Sequence, residues 1–122
     1  MKTQRLLSNV FAAFALAAAF TAQADCTFPK APDGIPDGKT ASEAEMIAAM
    51  TAFKQFNGEV TSYLTCLEKE TADKISSAGG ATSSVVQIKS MQSKKHNAAL
   101  ADLKEITGKF NEQVRVFKSR NS

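Results

Sequence analysis

The sequence predicts an all-α protein: a two-helix antiparallel hairpin whose extended, Pro-rich N-terminal arm is stapled to the first helix by a disulfide. Three observations carry this. Two long stretches repeat apolar residues in alternating steps of three and four, a Gly/Ser segment separates them, and the chain holds one pair of cysteines, Cys26 and Cys66.

Residues 1–24 read as a cleaved signal peptide. Met1 to Arg5 is positively charged, Leu6 to Phe20 is apolar and Ala-rich, and Ala22-Gln23-Ala24 supplies the small-x-small pattern of a cleavage site before Asp25. The apolar run is shorter than the roughly 20 residues a membrane-spanning helix requires. Removing the first 24 of 122 residues leaves 98, enough for one domain. Export places the chain in the periplasm or outside the cell, an oxidising setting in which Cys26 and Cys66 are expected to pair with each other.

Residues 25–40 form the arm. Pro29, Pro32 and Pro36 forbid a helix, and Pro-Asp-Gly occurs twice, at 32–34 and 36–38. The two aspartates lack the carboxylate count and spacing of a hand-type calcium loop. Turn chemistry is the simpler reading.

Residues 41–122 form the hairpin, with helices expected over about 41–75 and 85–118. Thr40-x-x-Glu43 and Ser42-x-x-Glu45 both match a capping box, so either can open the first helix. Its seam runs through Met46, Met50, Phe53, Val60, Leu64 and Leu67. Asn57-Gly58 is the place where this helix can break, but the seam keeps its phase across the pair, which favours one rod. Ser76 to Ser84 is the reversing turn, and Ser84-x-x-Gln87 repeats the capping signature. On the second helix Val85, Ile88, Ala99, Leu103, Ile106, Phe110, Val114 and Phe117 share one arc. Both helices carry Phe-Asn-x-x-Val-x-x-aromatic, a weak repeat that records either a duplicated helix or two similarly patterned seams.

The bond constrains the arm. Cys66 lies about 38 Å from the start of its helix at the standard rise, and fourteen residues in polyproline geometry reach about 43 Å. The arm is therefore expected to run back along the outside of the first helix with both Pro-Asp-Gly units fairly open. It would pass over the small residues Ala41, Ala48 and Ala52, with Phe28 and Ile35 covering Tyr63 and Phe56. Closing the loop is worth roughly 3–4 kcal/mol.

The formal charge of +3 falls to +1 without Lys2 and Arg5, with 13 basic against 12 acidic residues, so basicity argues for no nucleic-acid partner. The charge is polarised: residues 25–75 carry −4 and residues 76–122 carry +5. The two halves are expected to face each other.

Candidate chemistry is sparse. His96 is the only imidazole, on the inward arc; it is either a pH-sensitive group or a partly solvated interruption of the seam. Lys89, Lys94 and Lys95 form the densest basic run, a candidate anion site for lipid or lipopolysaccharide phosphates and a membrane-surface contact, with a solvated helix face as the plainer reading. Glu68, Glu70 and Asp73 read as the exposed side of the first helix. No nucleophile–base pair, phosphate loop, cofactor motif or metal set stands out, so no catalysis, cofactor or metal is expected.

Cys26, Pro36-Asp37-Gly38, Glu45-Met46, Tyr63-Leu64 with Cys66-Leu67, His96-Asn97, and Phe110-Asn111 with Val114-Arg115 occur in an order that resembles a group of small, uncharacterised exported proteins of proteobacteria. The resemblance implies export and a helical fold and transfers no activity. The expected function is an exported helical interaction or structural module, partnered by a second copy or another exported protein. The alternatives are a periplasmic holdase-like chaperone and an anionic lipid or lipopolysaccharide binder.

Overall fold

A computed structural model describes residues 25–122; the leader assigned to residues 1–24 lies outside them. The described residues form two helices and no strand, α1 over Glu43–Ser77 and α2 over Thr82–Arg120, preceded by the extended arm. At 35 and 39 residues they are rods of roughly 50–60 Å packed side by side.

The start of α1 is settled by Ser42. Its hydroxyl accepts from the Glu45 amide at 3.2 Å, and its own amide donates to Glu45 Oε2 at 2.7 Å, a complete capping box. The Ser42 amide first, and its hydroxyl next, hold the Glu45 carboxyl below its ordinary pKa. The helix continues through Asn57-Gly58 without a break. It ends at Ala78, after which Gly79 and Gly80 take φ of 64° and 79°, a left-handed pair that suits glycine and reverses the chain.

Ser84 does not open α2, contrary to the capping signature. The helix begins at Thr82, with Ala81 as an N-cap that makes no side-chain bond. Because two left-handed glycines complete the reversal within a short span, Thr82, Ser83 and Ser84 are drawn into the first turn.

The core joins both rods to the arm. Phe56, Val60, Tyr63, Leu67 and Ala99 are buried together, with Cys26, Leu64, Leu103 and Ile106 packed against them. Nearer the open end, the rings of Phe53 and Phe110 stack with centroids 5.4 Å apart. The predicted seam of α1 is displaced towards the arm. Met50 is exposed, whereas Phe56 and Tyr63 lie deeper than the half-buried Leu64 and Phe53. A two-helix seam alone would centre burial on the line between the rods, and a third layer on one side moves that centre.

The third layer is the arm. The Cys26–Cys66 disulfide holds its start, with 5.8 Å between the Cα atoms. Phe28 then meets Tyr63 edge to face at 5.3 Å, as the sequence suggested. Further along, residues 30–33 lie beside Ala52, Gln55, Phe56 and Glu59, so the arm runs opposite to α1.

Its far end departs from expectation. The second Pro-Asp-Gly closes into a turn, with Asp37 O accepting from the amides of Thr40 and Ala41 at 3.1 and 2.8 Å and Asp37 Oδ1 accepting from Lys39 N at 2.9 Å. Only the first unit stays open. The arm also crosses to α2 instead of keeping to the outside of α1. Gly38 is buried there and donates to Gln113 Oε1 at 2.8 Å, while Arg120 donates to the carbonyls of Lys39 and Ala41 at 2.6 and 2.7 Å. Ala48 consequently remains exposed, and Ala52 is exposed even though residues 30–33 lie beside it.

The charge polarity is expressed less across the interface than expected. Lys69–Asp73, Lys109–Glu105 and Arg115–Glu112 are local pairs about one helical turn apart, and among the described residues Lys95–Glu70 is the ion pair that joins the rods.

Candidate functional site

Two surfaces and one partly buried carboxylate distinguish this hairpin. The first surface is the arm-covered face. The second is the opposite face, which the arm does not reach. There, Met46, Ile47, Met50 and Lys54 of α1 and Phe110, Val114, Phe117 and Lys118 of α2 line an open groove of about 390 Å³. Ile47 is 59% exposed and Met50 38% exposed, and Leu100 on the same side of α2 is 41% exposed. Large apolar side chains exposed on one face of a small domain mark an interaction surface more than a random solvent face.

The carboxylate is Glu70, which the sequence placed on an exposed flank. Its side chain is only 13% exposed. It sits one turn beyond Cys66, which points it towards the arm and α2. Lys74 and, at 3.5 Å, Lys95 pair with Oε1. The Lys74 bond is the largest influence lowering the Glu70 pKa, burial opposes it, and Lys95 and the backbone amide of Cys26 add to the lowering. Lys74 is raised in turn by the same bond. Oε2 is buried without a partner in hydrogen-bond geometry. Beside it, Leu67, Ile88, Met91, Gln92 and Lys95 help to enclose a cavity of about 220 Å³ near the turn. The i, i+4 relation to Cys66 is the sequence signal that could have singled Glu70 out.

The three lysines of the candidate anion site are not brought together. At about 100° per residue, Lys89, Lys94 and Lys95 leave α2 in three directions roughly 120° apart. Lys89 and Lys94 are exposed, and Lys95 turns inward to Glu70. His96 is half-buried on α2, as the arc placed it. Sequence reasoning missed Gln113 and Arg120 as anchors of the arm, because their partners are backbone groups 75 and 81 residues away.

Among the described residues, no three His, Cys, Asp or Glu side chains converge on a point that could hold a metal ion, and no helix is long and apolar enough to cross a membrane. The fold and these surfaces define a disulfide-stapled helical hairpin. No protein-family model, curated protein or solved structure matches the chain.

Proposed function

We propose that the chain is an exported, non-catalytic interaction module that works as a homodimer, pairing through the face the arm leaves open. The observation that carries this reading is the asymmetry of cover: an arm held at both ends lies over one side of the hairpin, and Ile47, Met50 and Leu100 stand exposed on the other. A two-fold axis parallel to the rods would set the first half of one protomer, at −4, against the second half of its partner, at +5, with all neighbouring helices antiparallel. The disulfide is compatible with an oxidising compartment, and the sequence of the leader supports the periplasm or secretion.

Light scattering on the oxidised chain tests this. A dimer mass is expected at micromolar concentration, and the double substitution Ile47→Glu, Met50→Glu is expected to yield monomers that keep the helix content of the parent. A parent that is monomeric throughout, or a double variant of unchanged mass, overturns the proposal. Capture of unfolded outer-membrane protein or salt-sensitive binding to anionic vesicles by the monomer would favour the chaperone or the lipid reading instead. The divergence of Lys89, Lys94 and Lys95 supports placing the lipid reading behind self-association.

A further inference from the structure

We propose that Glu70 is the seat of the α-ammonium group created when the chain is cut between Ala24 and Asp25, so that removal of the leader adds an ion pair to the disulfide that holds the arm. The inference rests on the leader reading of residues 1–24 and is independent of self-association.

The geometry leads there from three sides. First, direction. The arm passes Cys66, then Tyr63, then residues 52–59, so Asp25, the residue before Cys26, is on the side of the turn end of α1, which is where Glu70 lies, one turn past Cys66. Second, proximity. The Cys26 amide already acts on the Glu70 carboxylate and the Asp25 carboxylate on Lys74, so the group one residue upstream of Cys26 falls within the same cluster. Third, need. Glu70 Oε2 is buried with no donor in hydrogen-bond geometry, the Cys26 amide being the weakest of the influences on the carboxylate, although two lysines hold Oε1. A buried carboxylate oxygen without a donor is costly, and an ammonium group brings three donors and a positive charge. A peptide nitrogen at the same position, in an unprocessed chain, brings one neutral N–H.

The charged groups of this cluster are Glu70 and Lys74 of α1, Lys95 of α2 and the carboxylate of Asp25 itself. The two lysines oppose a third cation, and the two carboxylates favour it. Because Oε1 is the oxygen the lysines hold, the new charge has an oxygen of its own to meet. Its pKa should rise above the ordinary α-amino range of about 7.7–8.0. A raised folded-state pKa means that the added stability is complete below the unfolded value and is lost as pH climbs through the folded one.

Four oxidised proteins provide the test: the chain starting at Asp25, the same chain with a Gly-Ser extension before Asp25, and Glu70→Gln in both. Residues 25–122 contain the whole described core. The chain starting at Asp25 should melt several degrees above its extended form at about pH 6, with the gap closing as pH rises past the folded α-amine pKa and absent in the Glu70→Gln pair. Should Glu70→Gln fail to fold, titration of the α-amine by NMR in the parent decides: a raised pKa sustains the proposal, and a value in the ordinary range overturns it. A gap that persists undiminished in Glu70→Gln, or no gap in the parent, also overturns it. Each chain is made with its terminus already defined, and its mass is read separately by light scattering. Failure here therefore leaves the dimer reading standing, and failure of the dimer leaves this one.

Discussion

Pro32-Asp33-Gly34 and Pro36-Asp37-Gly38 are the same three residues written twice, four positions apart, and they end in opposite states. The first is a shallow bend in solvent. Gly34 is exposed with open space where a Cβ would be, and Asp33 pairs with Lys30 on the surface. The second is a hydrogen-bonded turn pressed against α2, where a Cβ on Gly38 would stand 2.2 Å from the Gln113 carbonyl oxygen and 2.9 Å from the Phe117 nitrogen. Local turn chemistry is equal in the two, so it does not decide between them. What decides is where each falls along an arm tethered at Cys26 and entering α1 at Ser42: the first spans the middle of the rod, and the second must turn the chain into the helix.

Breaking the tether is the severest way to disturb this contrast. Cys66→Ser, or reduction, frees a loop whose ends are 40 residues apart and should cost about 4 kcal/mol, which in a chain of this size lowers the melting midpoint by 15 °C or more, on the order expected for such domains. An unchanged midpoint would mean that the bond does not restrain the unfolded chain. Next comes Gly38→Ala. It forces backbone against backbone and strains the bond to Gln113, so a loss of roughly 1–3 kcal/mol is expected in chemical denaturation. Gly34→Ala is the matched control. With nothing near the new methyl and less freedom in the unfolded chain, its effect should stay within about 0.5 kcal/mol of zero, on the stabilising side if anything. Equal losses at both glycines would erase the distinction between the two units.

Much of this was legible in the residues. The two rods follow from the periodicity, the pairing of Cys26 with Cys66 from the cysteine count and the leader reading of residues 1–24, and the contact of Phe28 with Tyr63 from the angular offset of Tyr63 towards the arm. The crossing of the arm to α2 was not, because it depends on Gln113 and Arg120 binding backbone groups of Gly38, Lys39 and Ala41, and a side chain that binds backbone leaves no mark on its partner's identity. Glu70 was misread for a related reason. An acid on a mostly polar stripe looks solvated until a third layer is placed over it. The open groove was foreshadowed by Met50 and Phe53 in the seam, yet only the arm's position shows that it is this face, and not the other, that lacks cover.

Amide hydrogen exchange at Gly34 and Gly38 tests most directly the claim that the arm is seated at both ends. In the oxidised chain the Gly38 amide, bonded to Gln113 Oε1 and buried, should exchange far more slowly than the Gly34 amide, and reduction of Cys26–Cys66 should speed the exchange of Gly38 while leaving Gly34 unchanged. Two equally fast amides in the oxidised protein would contradict the account.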